Sequence, residues 1–453
     1  MKSKYIPFFS IAFLLVACAN KQAPTTVPSS TENTKLPALT DEELFKLVQQ
    51  QTFQYFWDGA EPNSGLACER VHLDGDYPDH DQHVVTTGGS GFGVMAILVG
   101  IERGFITRQQ GFERLRKITD WLEKADRFHG VWPHWMEGET GKVKPFGKED
   151  NGGDLVESSF LVQGLLCVRQ YFKDGNAEEK ALAAKIDQLW KEVEWDWHRG
   201  PNKENVLFWH WSPDYAWIKN FKIHGWNECL ITYVLAASSP THGVPAEVYH
   251  EGWAENGKIM GGPTAYGHTL ALKHQGRPIS GGPLFWAHYS FLGLDPRKLK
   301  DRYADYWEHN VNHALINYDH CVANPHHYPG YGPNCWGLTA SYSTKFYAAH
   351  CPEEDLGVIS PTAALSSFPY TPEQSMAAMR HFYDDLGGKL MGKYGFFDAF
   401  SEKEDWWPSW YLAIDQGPIV VMMENQRNGL LWRLFMSCPE VQQGLTKLGF
   451  SYQ

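Results

Sequence analysis

Four carboxylates stand at the heads of long apolar stretches: Asp154 and Glu157 at the start of 155–171, Glu228 at the start of 228–237, and Asp415 ahead of 419–435. On a helix, residues three apart share one face with about 5–6 Å between their Cβ atoms, so Asp154 and Glu157 are neighbours. An acid in a first helical turn gains about 0.3–1 kcal/mol from the helix dipole, which is a sufficient structural reason for any one of them. As a set they adjoin strongly apolar segments, where a carboxylate is costly to bury unless it is paired or used. Aromatic loops precede the same acids: Trp132 and Trp135 before Asp154, then Phe208, Trp209, Trp211 and Trp217 before Glu228, and Trp406, Trp407 and Trp410 before Asp415. Carboxyl groups framed by aromatic faces suit glycoside hydrolysis. One acid protonates the leaving oxygen, a second activates water or attacks carbon, and the rings hold the apolar side of a sugar. No GxSxG elbow, HExxH pair, P-loop or dinucleotide fingerprint is present to serve another chemistry. His80-Asp81-Gln82-His83 and His326-His327 arise readily by chance among 20 His, and no metal or other cofactor is expected.

These acids must be positioned by the apolar stretches behind them. Gly- or Pro-marked turns recur ahead of such stretches: Gly88 to Gly91 before 92–100, Gly152-Gly153 before 155–171, Gly225 before 228–237, and Gly281-Gly282-Pro283 before 284–292. Gly332-Pro333 precedes 336–342, Pro361 precedes 362–365, and Gly417-Pro418 precedes 419–435. Between several of them lie amphipathic, charged segments such as 107–125 and 177–195, with apolar residues at helical spacing. Apolar helices alternating with amphipathic ones predict a double ring, inner helices buried and outer ones half exposed. The expected architecture is one all-α toroid over 40–453, with long loops over the mouth where the inner helices begin. A single closed toroid also accounts for a length of 453 residues, beyond the usual size of one core.

The N-terminus reads as an address. Lys2 and Lys4 precede an apolar run over 5–17 that is too short to anchor by spanning a bilayer. It ends Leu15-Val16-Ala17-Cys18, like a lipobox, which predicts a signal peptide over 1–17 and a lipid on Cys18. Residues 18–39 are then a polar tether, with Ala19 after the Cys favouring the outer membrane, facing the periplasm or the cell surface. The formal charge is −13, and losing 1–17, with two Lys and no acid, makes it −15. Such a charge disfavours nucleic acid as a partner. The 19 Trp suit a sugar cleft, or alternatively a Trp-rich core. Seven cysteines follow Cys18 without a CxxC or zinc-ribbon pattern; Cys167 and Cys229 read as core, and one bridge among Cys321, Cys335 and Cys351 is compatible with an oxidising compartment.

Several motifs in order carry a resemblance: Trp226-Asn227-Glu228, Ser238-Ser239-Pro240-Thr241-His242, Gly282-Pro283-Leu284-Phe285, Tyr331 to Ser341, Pro361-Thr362-Ala363-Ala364, Tyr394 to Phe400, and Ile414 to Pro418. Together they resemble the bacterial glucoamylase-like domain family. The resemblance implies an (α/α)6 barrel and a metal-free, inverting glycoside hydrolase, with β-1,2-glucanases of glycoside hydrolase family 144 as its characterised members. Carried onto this chain, it implies Glu228 as the general acid and Asp415 as the base acting through water, with Asp154 and Glu157 binding sugar hydroxyls or tuning the acid. Trp132, His134, Trp226, Asn227, Tyr394 and Trp410 are the candidate sugar contacts. Asp398 and Glu424 stand in reserve, the structural alternatives being a turn cap and a buried polar contact. The expected partner is a β-glucan or its oligosaccharides, cut endo or exo with release of sophorose, by a monomer. A hydrolase of another β-linked polysaccharide and a non-catalytic glycan-binding lipoprotein are the alternatives.

Overall fold

Inner and outer helices alternate along the chain because their sequences bury different shares of their surface. The computed structural model describes Leu36 to Tyr452 apart from Asp79, His80 and Pro278. The signal peptide, Cys18, nearly all of the tether and His80 therefore lie outside the described residues. Lys35 to Gln453 form one compact unit. It opens with α1 (Asp41–Trp57), started by a capping box in which Thr40 and Glu43 bond each other's backbone N–H. The inner helix α2 (Thr87–Glu102) follows and is buried from Thr87 to Gly100. The outer α3 (Arg108–Leu122) buries only a stripe, with Phe112, Leu115, Ile118 and Leu122 at helical spacing. The pattern repeats with α4 (Leu155–Phe172), buried on nearly every residue, and α5 (Ala177–Lys191), which buries Leu182, Ile186 and Leu189. The inner α6 (Leu230–Ser238) is wholly buried and is backed by a π-helical segment, Val248–Trp253.

The second half completes both rings. The inner segment is a pair of short 3₁₀ turns, Leu284–Ala287 and Tyr289–Phe291, followed by the outer α7 (Tyr306–Ala323). Then come the inner α8 (Pro361–Leu365), the outer α9 (Pro372–Asp384), a single turn α10 (Gly387–Leu390) and the inner α11 (Ala413–Asn428). Helices α12 (Leu430–Met436) and α13 (Pro439–Leu448) close over α4 and α6. The inner elements touch in sequence: α2 on α4, α4 on α6, α6 on Tyr289–Phe291, and α8 on α11, which returns to α2. Between the 3₁₀ turns and α8 the ring is joined by His288 Nε2 to Ser367 Oγ at 3.0 Å and by the Tyr370 hydroxyl donating to Ala287 O at 2.9 Å. Among the described residues these inner and outer elements form the expected helical double ring.

Local structure departs from the sequence reading in three places. The glycines 88–91 lie inside α2 rather than in a turn before it. They let two inner helices meet, since a Cβ on Gly91 would lie 2.3 Å from Phe160 O, and one on Gly164 would lie 2.1 Å from Gly91 O. The stretch 284–292 forms the two 3₁₀ turns in place of one α-helix. The stretch 336–342 is extended, because the Asn317 side chain takes both the N–H and the C=O of Leu338, at 3.0 and 2.9 Å. It runs into a hairpin in which Ala340–Tyr342 pairs with Tyr347–Ala349. Among the described residues the other strands are also two or three residues long, and three of them lead into inner helices. Val84–Thr86 pairs with Trp135–Glu137 ahead of α2, Gly153–Asp154 with His210–Trp211 ahead of α4, and Trp410–Leu412 with Arg70–His72 ahead of α11. These ladders fix where α2, α4 and α11 start. Among the described residues no helix is long and apolar enough to cross a membrane, and the seven described cysteines are buried free thiols, with no bridge among Cys321, Cys335 and Cys351.

Candidate active site

Asp154 is the N-cap of α4. Its Oδ1 accepts from the N–H groups of Val156 and Glu157 at 3.0 and 2.9 Å, satisfying two donors that a helix start leaves open. Its Oδ2 takes His134 Nδ1 at 2.9 Å and lies 3.7 Å from His210 Nε2. Burial alone would raise this carboxyl, but the His134 bond and the two imidazoles outweigh it and hold Asp154 below its usual range. Burial also opposes an imidazolium at His134; the charges of Glu157, Asp154 and Asp150 overcome that and lift it to about 10. The two side chains form an ion pair at neutral pH. His210 is in turn tied to Asp150, 3.3 Å away, and Asp150 to Lys219 at 3.0 Å.

Glu157, one turn into α4, points across to α2, where its Oε2 accepts from Gly88 N at 2.7 Å. The absence of a side chain at Gly88 makes the approach feasible, because a Cβ there would sit 2.4 Å from that oxygen. Burial raises Glu157 to about 7 against the opposing pull of His134, with Asp154 adding to the rise. Glu228 precedes α6 and has its backbone pinned: Ser290 Oγ donates to its carbonyl, and Asn227 Oδ1 accepts from Cys229 N at 3.0 Å. Its carboxyl is also raised to about 7, by burial first and then by Glu157 and Asp154. Two carboxyls that hold a proton to neutrality thus sit beside one that does not, the division of acid and base that hydrolysis of a glycosidic bond requires.

A second acid pair lies across the ring. Asp415, in the first turn of α11, is 1% exposed, and its carboxyl faces that of Asp398 closely enough for the two to titrate together. Asp398 Oδ2 accepts from Tyr342 N at 2.7 Å. Burial and the mutual repulsion drive Asp415 well above the carboxylate range, and burial brings Asp398 to about 6. Asp398 Oδ1 and Asp415 Oδ2 have no donor besides this pair, so above about 6 the two share one proton and one charge. Tyr289 links the acid groups: it is packed against Phe92, Phe160 and Phe285, and its phenol, raised chiefly by burial, feels Asp415, Glu157 and Glu228. Tyr347, on the hairpin, is half exposed and feels Asp415, Asp398, Glu69 and Glu157.

The sugar-contact candidates divide. His134 and Trp410 border the acid groups, Trp410 stacking on His72 at 4.7 Å and donating to Asp74 Oδ2 at 2.7 Å. Trp132 is corrected to a core residue: it is 0% exposed, lies under Arg127 at 4.4 Å and donates Nε1 to Leu122 O. Trp226, 1% exposed, packs its ring against His309 at 4.2 Å. Tyr394 is wedged against Tyr55 of α1 at 5.8 Å, and the Asn227 side chain is committed to the Cys229 N–H. Trp132 and Trp226 hold the scaffold and offer no open face; Tyr394 and Asn227 are nearly buried, and the Asn227 bond engages only its Oδ1. The Trp-rich core and the Trp-lined loops therefore both exist: Trp190, Trp195, Trp253 and Trp336 are wholly buried, whereas Trp135, Trp209, Trp211, Trp217 and Trp406 keep part of their surface open. Glu424 lies well down α11 and is a buried ion-pair partner of Arg103 at 3.2 Å. Glu69, His210, Asp150 and Tyr289 carry no sequence signal that singles them out.

A family model described as "Putative glucoamylase" matches residues 220–439. An exo β-1,2-glucooligosaccharide sophorohydrolase (non-reducing end) from Parabacteroides distasonis is 48% identical over 440 residues, covering 93% of this chain; the chain spans 60% of that relative's length. The structure of an endo-β-1,2-glucanase from Chitinophaga pinensis, in complex with sophorotriose and glucose, is 69% identical with a TM-score of 0.90, covering 92% of this chain and 99% of that one. An endo-β-1,2-glucanase from Talaromyces funiculosus, 11% identical, shares the fold (TM-score 0.63, 89% of this chain and 92% of that one). With its helical double ring and acids at the inner-helix starts, the chain belongs to the bacterial glucoamylase-like domain family.

Proposed function

We propose that this protein hydrolyses β-1,2-linked glucan as an endo-acting, inverting glycoside hydrolase of family 144. The observation that carries the reading is Glu228, a buried carboxyl that keeps its proton up to about 7 beside an ionised Asp154. The 69% identity to an endo-β-1,2-glucanase supports the linkage and the endo mode. Glu228 gives its proton to the glycosidic oxygen as the bond to the anomeric carbon breaks. Water attacks that carbon from the other face and loses a proton to the singly charged Asp415–Asp398 pair, and exchange with solvent restores both groups. Asp154 and His134 hold sugar hydroxyls and set the field around the acid. The Asp154 N-cap fixes the carboxylate on the helix frame, which favours orientation over proton transfer.

The test is the product profile on linear β-1,2-glucan, with the anomer followed by proton NMR. A spread of oligosaccharides formed first as the α-anomer is expected. Sophorose as sole product would replace endo with exo action, and no released reducing sugar, with activity on another β-glucan in a panel, would overturn the substrate. Binding without turnover would return the protein to the glycan-binding class. The Lys2/Lys4 start, the apolar run and Leu15-Val16-Ala17-Cys18 support anchoring through a lipid on Cys18 at the outer membrane. Labelling by a fatty-acid analogue that disappears in Cys18→Ala tests it.

A further inference from the structure

Cys335, His381 and Glu402 come from three separate parts of the chain and meet outside the acid groups described above. Cys335 ends the Gly332–Cys335 turn, closed by backbone bonds of 3.1 and 3.0 Å in the two directions. His381 lies in the last turn of α9, and Glu402 starts the turn in which Ser401 pairs with Trp406. One ligand atom from each lies within 4.8 Å of the other two. A tetrahedral zinc site with bonds of about 2.0–2.3 Å separates its ligands by roughly 3.5 Å, so small side-chain rotations close the triangle.

Two further features point at a cation. His381 Nδ1 is held by Asp385 Oδ2 at 2.7 Å, the carboxylate–histidine arrangement that fixes the tautomer with a lone pair on Nε2. That Nε2 is buried and has no hydrogen-bond partner, an arrangement that a ligand would relieve. The Cys335 side chain is itself buried. His381 and Glu402 are only half buried, which leaves a way in from solvent.

We propose that Cys335, His381 and Glu402 form a structural site for a divalent thiophilic cation of the zinc type, clamping the 332–335 and 401–406 turns to α9. The site is independent of the hydrolytic reading. The full chain, stripped with a chelator and dialysed, is titrated with zinc(II) against a chromogenic competitor and separately with cobalt(II). One equivalent bound, a thiolate-to-cobalt charge-transfer band, and loss of that band with at least tenfold weaker zinc binding in Cys335→Ser are expected. His381→Gln, which leaves the thiol in place, is the second variant should Cys335→Ser fold poorly, and it is expected to weaken zinc by a similar factor. Absence of the band in the wild-type chain, unchanged zinc affinity in either folded variant, or a Cys321–Cys335 disulfide in the secreted protein would each overturn the site.

Discussion

Replacing Glu228 by Gln removes a proton donor while keeping the shape of the side chain. The backbone around it is held by Ser290 and Asn227 rather than by its own carboxyl, so the fold should survive, as far-ultraviolet circular dichroism can check. The magnitude follows from the environment. A glutamic acid at the ordinary value of about 4.3 would be protonated in roughly 0.2% of molecules at pH 7. Glu228, raised to about 7, is protonated in about half of them. Burial with Glu157 and Asp154 nearby therefore enriches the donor roughly 250-fold, and losing it should lower kcat on β-1,2-glucan by about 10²–10⁴-fold with KM little changed.

The pH profile carries the sharper test. Glu228 must be protonated and the Asp415–Asp398 pair must have lost its first proton, so kcat/KM should rise through about 6 and fall above about 7. In Glu228→Gln the alkaline fall should vanish. Glu157 titrates in the same range, so Glu157→Gln is the control that should keep the fall. An aryl β-sophoroside with a good leaving group needs little protonation, and the loss in Glu228→Gln should shrink on it. Equal losses on both substrates, or a polymer activity within tenfold of the wild type, would refute Glu228 as the acid.

Thermal stability should fall as pH rises from about 5 to about 9. Glu157 and Glu228 have folded-state values of about 7, above their unfolded ones, so the folded state holds extra protons that it gives up in this window; His134, raised to about 10, loses its stabilising charge on the same side. Scanning calorimetry across pH checks this, and Glu228→Gln should flatten the fall. Trp132→Ala should cost about 3–5 kcal/mol of stability and leave the KM of the remaining folded enzyme unchanged; a large KM change with unaltered Tm would restore Trp132 as a sugar platform. Gly88→Ala would set a Cβ 2.4 Å from Glu157 Oε2 and Gly91→Ala one 2.3 Å from Phe160 O. The first should reduce kcat while the protein still melts cooperatively, since a carboxylate tip can move, and the second should prevent folding, since a helix backbone cannot; expression and melting of the two variants separate these outcomes.

How much of this the sequence could disclose depended on whether a feature was local. Apolar segments of helical length declare themselves over ten to twenty residues, and the alternation of fully buried α2, α4 and α6 with striped α3 and α5 was readable as a double ring. The error over 336–342 has a long-range cause: Asn317, in α7, supplies the bonds that hold Leu338 extended. The glycines 88–91 have the composition of a turn. The close approach of Gly88 and Gly91 to α4 depends on Glu157 and Phe160, some 70 positions away.

The acids illustrate the same limit from the side of function. Asp154, Glu157, Glu228 and Asp415 could be picked out because each precedes or opens an apolar helix, but their states are set by partners that no local pattern names. Asp154 stays ionised because His134 and His210 reach it from other segments, whereas Glu157, in the first turn of the helix that Asp154 caps, is raised to about 7 by burial. Asp415 and Asp398 are 17 positions apart and become one titrating unit only where Trp410–Leu412 pairs with Arg70–His72 and carries the chain into α11. The Trp-rich composition sorted in the same way. An indole in a loop reads alike whether it lines a cleft or fills the ring behind it; Trp410 meets Asp74 through its Nε1, whereas Trp132 is roofed by Arg127 and donates to Leu122 O. The short ladders ahead of α2, α4 and α11 thus help to place Asp154, Glu157 and Asp415 and set the company each of them keeps.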